Sequence, residues 1–149
     1  MKVYAGSDHG GFLLKQTLIK RLKELGHEIV DLGTDSQNSC DYPDYAHAVA
    51  EKIQAEPCSM GILTCGSGIG ISIAANRHAG IRAALCHSSL EATLARQHND
   101  ANVLVMGGRL VGEALALDIL EKFFSASFEG GRHQARVEKI EIPCERQKH

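Results

Sequence analysis

Short apolar runs of strand length alternate along this chain with segments whose apolar residues recur at helical spacing. Five runs rich in Val, Ile or Leu predict strands at residues 2–6, 27–32, 60–64, 81–86 and 102–106. Strands that alternate with helices are typical of a parallel sheet covered by helices. The pattern predicts an α/β fold, a three-layer Rossmann-like sandwich around a five-stranded parallel sheet of order 2-1-3-4-5.

Residues that begin or end helices mark the segments between these strands. Gly26 follows the first helical pattern as a C-cap, Pro43 begins the second helix, and Ser88 or Ser89 caps the fourth. Gly112 precedes the fifth helix. The first helix is expected to bury a face made of Phe12, Leu13, Thr17, Ile19, Leu22 and Leu25. The fifth is expected to bury Leu115, Ile119, Leu120 and Phe123.

The composition of the chain is that of an ordinary globular protein. Of its 149 residues 44% are hydrophobic and 23% charged, so we expect one domain, residues 1–149. The polar tail, residues 127–149, predicts one more helix with little apolar surface, which we expect to contact a partner chain. A net charge of -2 excludes a general attraction for nucleic acid or acidic membranes. Without a secretory or membrane-length apolar run, a cytoplasmic location is expected.

Cysteine and histidine spacing argues against a disulfide framework and a metal centre. The five cysteines are an odd number without a C-x-x-C pair, which favours reduced thiols, most of them packing residues. The eight histidines show no paired spacing such as H-E-x-x-H, so no metal site and no cofactor are expected.

The strongest local motif is Cys65-Gly66-Ser67-Gly68-Ile69-Gly70, which directly follows the third predicted strand and precedes a helical segment. A glycine-rich turn at a helix N-terminus presents backbone N–H groups to an anion, and it favours a reactive thiolate at Cys65. Ile71 occupies the position that a dinucleotide fingerprint gives to its third glycine and a cysteine phosphatase to its arginine. The Lys-Ser/Thr pair of a P-loop is also absent from the sequence.

In the predicted sheet the turn 7–11 and the loop 65–70 lie side by side at the carboxyl ends of strands one and three, where ligands bind. Asp8, His9 and Cys65 would then converge. Simpler explanations remain open: Asp8 as a turn residue, His9 as a solvated side chain and Cys65 as a packing thiol. Tyr42, which precedes Pro43, could simply anchor a turn. Arg132 and Arg136 could form a solvated helix face.

Several long motifs together resemble the type B ribose-5-phosphate isomerases, a family shared with allose-6-phosphate and galactose-6-phosphate isomerases. The resemblance covers essentially the whole chain. It rests on residues 7–12 (SDHGGF), 41–43 (DYP), 65–77 (CGSGIGISIAANR), 96–100 (RQHND) and 129–136 (EGGRHQAR). It implies interconversion of ribose 5-phosphate and ribulose 5-phosphate through an enediolate, without a metal.

The family pattern also implies roles for residues of this chain. Cys65 would be the base that moves a proton between C1 and C2, and Ser67 with the loop amides would stabilise the enediolate oxygen. His98 would open the furanose ring, and Asp8 would bind sugar hydroxyls. The phosphate would be held by His9, Arg109, Arg132 and Arg136. Further substrate contacts are expected from Tyr42, Gly66, Gly68, Ile69, Gly70 and Asn99.

The position of His98 adds an expectation about assembly. His98 and Asn99 precede the fifth predicted strand, whereas Asp8, Cys65 and Ser67 follow strands, and a strand of five residues separates its two ends by ~16 Å. We therefore expect a homodimer, or a dimer of dimers, with active sites shared between chains. Two alternatives stay open: an isomerase of six-carbon aldose phosphates, and a non-catalytic sugar-phosphate-binding regulator.

Overall fold

The computed structural model describes residues 1–143 as a parallel sheet with helices on both faces. The strands are β1 (Lys2–Ser7), β2 (Glu28–Asp31), β3 (Met60–Cys65), β4 (Ala83–Leu85) and β5 (Val103–Gly107). The helices are α1 (Phe12–Glu24), α2 (Tyr42–Ala55), α3 (Ile69–Ala75), α4 (Ser89–Asn99), α5 (Glu113–Ser125) and α6 (Arg132–Glu138). The predicted α/β class and parallel five-stranded sheet are confirmed. Residues 144–149, the end of the predicted tail, lie outside the described residues.

The predicted strand order is wrong in one respect. The sheet runs β2-β1-β3-β5-β4, so β5 lies beside β3 and β4 forms the edge. All residues of β5 are buried, whereas the three residues of β4 are only half-buried. A continuous apolar run belongs in a central strand, and a short strand suits an edge. The switch between β1 and β3 remains, and the end of β5 now adjoins the end of β3.

Two hydrophobic clusters make the three layers. Helices α1, α4 and α5 bury their apolar faces on one side of the sheet, and α2 and α3 on the other. Side chains alternate along β3, so Ile62 belongs to the first cluster, whereas Leu63 and Cys65 belong to the second. The sheet thus points the Cys65 side chain toward the layer of α2 and α3.

The helix boundaries follow local chemistry, but two predicted faces need correction. Ser88 caps α4 by accepting a hydrogen bond from the Glu91 N–H (3.1 Å). The buried face of α1 consists of Leu14, Lys15, Leu18, Ile19 and Leu22. Leu13 and Leu25, which were expected inside, are exposed, as is Leu115 of α5. Leu13 and Leu14 are adjacent in sequence, and the 3.6-residue period places only one of them on the core face.

Helix α6 forms where the polar tail predicts a helix and packs on α4 of its own chain. His133 and Val137 are its buried residues, and Arg132 and Arg136 remain exposed. Among residues 1–143 no helix is both long and apolar enough to cross a bilayer.

A fully buried lysine ties α1 to the loop after β2. Lys15 Nζ donates to Asp31 Oδ1 (2.6 Å) and to the Thr34 carbonyl oxygen (2.5 Å). Thr34 N–H in turn donates to the Ser7 carbonyl oxygen (2.8 Å), and Ser7 N–H donates to Gly33 (2.8 Å). The lysine therefore fixes the segment that pairs with the end of β1, next to Asp8.

Lys15→Met is expected to lower the free energy of unfolding by about 2 kcal/mol, because it removes two charge-assisted hydrogen bonds and takes the Nζ donor from the Thr34 carbonyl oxygen. Asp31 is 36% exposed, so water offsets part of the loss. Urea denaturation checks this, with exposed Lys20→Met on the same helix as control. Equal stability of the two variants would contradict the role given to Lys15.

Candidate active site

Cys65 is the last residue of β3, and the turn that follows it holds its sulfur. The side chain is 4% exposed, and Sγ accepts a hydrogen bond from the Gly68 N–H (3.1 Å). Gly68 has φ +79°, and a Cβ there would lie 2.6 Å from Leu85 Cδ1. The turn therefore needs glycine at this position for its backbone conformation and for space.

The turn also carries a hydroxyl group and two further backbone amides. Ser67 Oγ accepts from the Ile69 N–H (3.2 Å). The amide N–H groups of Gly66 and Ser67 have no acceptor among residues 1–143. Gly70 lies under the ring of Tyr42, because a Cβ at this glycine would be 2.5 Å from Tyr42 Cζ. Tyr42, the first residue of α2, thus borders the loop as the resemblance implies.

The turn after β1 brings an acid and an imidazole to the same edge. Asp8 is 7% exposed, and its Oδ1 accepts from the Gly11 N–H (3.1 Å). This bond gives Asp8 the turn role left open above, and its Oδ2 has no partner among residues 1–143. His9 Nδ1 accepts from the Cys40 N–H (3.2 Å), so the N–H of the neutral ring is at Nε2, which has no partner among residues 1–143.

Arg109 reaches the site because β5 lies beside β3. The Gly108 N–H donates to the Cys65 carbonyl (2.8 Å), and the Arg109 N–H donates to the Gly66 carbonyl (3.0 Å). The guanidinium lies over Gly66 and Gly10: a Cβ on Gly66 would be 3.1 Å from Arg109 Nη1. Asp8, His9, Tyr42, Arg109 and the 65–70 loop therefore meet at one edge of the sheet.

The other site residues form a second cluster around the last turn of α4. The His98 ring stacks on that of His133, with centroids 4.2 Å apart. Glu129 Oε2 lies 4.0 Å from His98 Nε2 and 3.6 Å from His133 Nε2. Desolvation, the His98 ring and the charge of Arg132 lower the pKa of His133. Exposed Asn99 and the arginines of α6 flank this cluster.

Glu129 and His133 were given no role in the sequence-based assignment. Both lie within the motif 129–136, and their spacing of four residues was the available signal. Their approach to His98 depends on α6 packing against α4, which is supported by the Glu129 N–H donating to the Gln97 carbonyl (3.0 Å).

Within one chain the two clusters lie at opposite ends of the strands. The first is at the carboxyl ends, here called the carboxyl edge, and the second, the amino-edge cluster of His98, Asn99, Glu129, Arg132, His133 and Arg136, is at the amino ends. Val103 is in register with Gly61 at the start of β3, and Gly107 with Cys65 at its end. His98 precedes β5, so it belongs to the amino edge, and the four residue steps of β5 alone separate the edges by ~13 Å. The structure brings Asp8, Cys65 and Arg109 together, and it leaves His98 with α6.

The remaining cysteines fit packing or surface positions. The described ones, Cys40, Cys58, Cys65 and Cys86, carry free thiols. Burial raises the pKa of the Cys86 thiol to about 12, which makes it an inert packing group. Cys144 lies outside the described residues.

Comparison with known proteins assigns this α/β chain to a family of isomerases. The family model described as Ribose/Galactose Isomerase matches residues 3–140, and the chain belongs to this family. It is 50% identical over 139 residues to ribose-5-phosphate isomerase B of Escherichia coli, covering 93% of each chain.

Solved structures of related proteins agree with this assignment. The chain resembles ribose-5-phosphate isomerase B of Clostridium thermocellum with TM-score 0.92 and 51% identity, covering 94% of this chain and 95% of the other. It resembles the Mycoplasma genitalium enzyme, solved with bound ribulose 5-phosphate, with TM-score 0.90 and 42% identity over 93% of each chain. The family and the isomerase class implied by the motifs are confirmed.

Gly107→Ala is expected to lower the free energy of unfolding by about 1–3 kcal/mol and to reduce activity by displacing Ser67. A Cβ at Gly107 would be 2.5 Å from the Ser67 carbonyl oxygen, which is backbone and cannot swing aside. Urea denaturation and enzyme assay measure the two effects. Gly112→Ala, whose Cβ would meet nothing within 4 Å, is the control. Equal stability and activity of the two variants would show that the contact is not tight.

Proposed function

We propose that this chain interconverts D-ribose 5-phosphate and D-ribulose 5-phosphate, a reaction of pentose phosphate metabolism, through an enediolate. The observation that carries the proposal is the buried Cys65 thiol in a turn whose Gly66 and Ser67 amides have no acceptor among residues 1–143. Relatives near 50% identity that are named ribose-5-phosphate isomerase B favour the five-carbon substrate over six-carbon aldose phosphates.

Cys65 is the base in this proposal. Its thiolate takes the proton from C2 of the open-chain aldose, which leaves an enediolate with its charge on O1. A proton then passes from O2 to O1, and the Cys65 thiol returns a proton to C1 to give the ketose. A thiolate accepts hydrogen bonds, and the Gly68 N–H already donates one to Sγ. The free amides of Gly66 and Ser67, with the Ser67 hydroxyl, are available to the enediolate oxygen, and one such donor is typically worth ~3 kcal/mol of barrier.

Neighbouring groups hold the substrate in place. The free Oδ2 of Asp8 can accept hydrogen bonds from sugar hydroxyls. The Nε2–H of His9 and the guanidinium of Arg109 are donors suited to phosphate. Tyr42, Ile69 and the glycines of the loop border the space in which the sugar would lie. Binding the phosphate fixes the reacting carbons against Cys65.

Ring opening is assigned to His98 of a second copy of the chain, with Asn99, Arg132 and Arg136 beside it. Both arginines lack an acidic partner within 4 Å among residues 1–143, which leaves them available to a phosphate. Ile69 and Ile73, one turn apart on α3, are 52% and 61% exposed next to the Cys65 turn. A partner that covers this apolar stripe would bring its own amino-edge cluster toward the site.

The chain would then act as a single domain, 1–149, in a homodimer or a dimer of dimers, with the tail helix contributing to the shared site. We place it in the cytoplasm, because a thiol base works only while it is reduced, and cytoplasmic thiols are kept reduced.

Purified enzyme is expected to turn over ribose 5-phosphate faster than allose 6-phosphate and to exchange substrate hydrogen with deuterated water. Cys65→Ser should lower kcat about 10²- to 10⁴-fold, the usual contribution of a general base, with little change in KM. The exposed cysteine variant Cys58→Ala should stay active. Faster turnover of allose 6-phosphate would favour the six-carbon alternative. If neither sugar exchanged hydrogen with deuterated water, the proposal that the chain is an enzyme would be contradicted.

A mixture of Cys65→Ala and His98→Ala chains tests the shared site. Cys65→Ala alone should be inactive, and His98→Ala alone should turn over only sugar that has opened by itself. Coexpressed chains should regain about a quarter of the wild-type activity. Half of randomly paired dimers are mixed, and each mixed dimer has one intact site. Sites built within one chain would leave every mixed dimer without an intact site, so no recovery would contradict the proposal.

A further inference from the structure

Three side chains of the amino-edge cluster are of types that bind metal ions, and they come from separate parts of the fold. His98 comes from α4, His133 from α6 and Glu129 from the segment before α6. One donor atom from each lies within 4.8 Å of the other two. Zinc bound by two histidines and a carboxylate has donor atoms about 3.3–3.5 Å apart, given metal–ligand distances near 2.0–2.2 Å.

We propose that His98, His133 and Glu129 form a divalent-metal site that takes Zn²⁺ and thereby inhibits the enzyme. The inference rests on the proposed role of His98, because a histidine that holds a metal cannot transfer a proton during ring opening. The two imidazoles donate lone pairs, the carboxylate donates an oxygen, and the fourth position is left to water. No bond of the substrate is involved.

A short movement of Glu129 and a rotation of the His98 ring out of its stack on His133 separate the present arrangement from a ligating one. Glu129 is half exposed, and its oxygen needs to move by less than about 1 Å toward either imidazole. The rings are nearly parallel (12°), so the His98 ring, with its side chain 37% exposed, must tilt until both Nε2 atoms face one point. The bond from the Glu129 N–H to the Gln97 carbonyl keeps the carboxylate beside α4 throughout.

Charge makes Glu129 the decisive ligand. The guanidinium groups of Arg132 and Arg136 on α6 oppose a dication at this place, and the Glu129 carboxylate offsets them. The same arginines favour phosphate, so zinc and the substrate phosphate would compete for this cluster. Sequence spacing pairs Glu129 with His133 but does not indicate His98, because the two histidines lie on different helices.

The test titrates the whole enzyme with Zn²⁺ against a chromophoric chelator, and with Co²⁺ by absorption. Wild type should bind one metal per chain, without the sulfur-to-cobalt charge-transfer band, and zinc should abolish activity until EDTA is added. Glu129→Gln and His133→Asn should weaken binding about 10-fold or more. Glu138→Gln, an exposed acid of α6, and Cys65→Ser should bind as wild type does.

Absence of zinc binding, or binding that survives Glu129→Gln, would overturn the site. Loss of zinc binding in Cys65→Ser would show that the thiol binds the metal, and this result would also overturn the proposed site. Glu129 is exposed, so its variant remains informative if His133→Asn does not fold. The titration needs no turnover, and failure of the isomerase proposal would therefore show separately, as a protein that binds zinc and exchanges no substrate hydrogen.

Discussion

The carboxyl edge of the sheet depends on backbone segments packed so closely that no side chain fits between them. A Cβ on Gly11 would collide with the Thr64 backbone, and one on Gly108 would lie 2.6 Å from the Gly10 carbonyl oxygen. Hydrogen bonds hold the same segments together: Thr64 Oγ1 donates to the Gly11 carbonyl (2.8 Å). The side chains available to a ligand therefore come from residues that flank these contacts, among them Asp8, Cys65, Ser67 and Arg109. Their positions are set by these backbone contacts and hydrogen bonds.

Much of this edge could be predicted from the sequence, because the alternation of strands and helices fixes where each strand ends. Asp8 and Cys65 follow β1 and β3, and a parallel sheet must bring them to one side. The strand order could not be predicted in full, since the runs 81–86 and 102–106 are both short and apolar. Burial decided between them: β5 is enclosed by neighbours, whereas β4 has one. Arg109 lies beside Gly66 because β5 is next to β3. From the sequence, only the family resemblance indicated that Arg109 belongs to the site.

The amino-edge cluster was less predictable, for a different physical reason. Topology alone placed His98 away from Cys65, and the register of β3 with β5 agrees. The contact of His98 with His133 and Glu129 depends on how a short helix with two buried residues packs on α4. Sequence patterns predict such packing poorly, because few apolar positions specify the face that docks. The polar residues around that helix then look like a solvated surface, although they surround the histidine on which ring opening is proposed to depend.

Dividing the site between two edges has a consequence for how activity relates to assembly. If the thiol base and the ring-opening histidine come from different chains, a lone chain retains the proton-transfer half but acts only on sugar that has already opened. Association then supplies a catalytic group as well as stability, and the active fraction follows the dimer concentration. The exposed Ile69 and Ile73 lie on the helix that begins just after the Cys65 turn. Burial of that stripe by a partner would therefore hold the turn and deliver the missing histidine in a single event, which couples the hydrophobic contact directly to the chemistry.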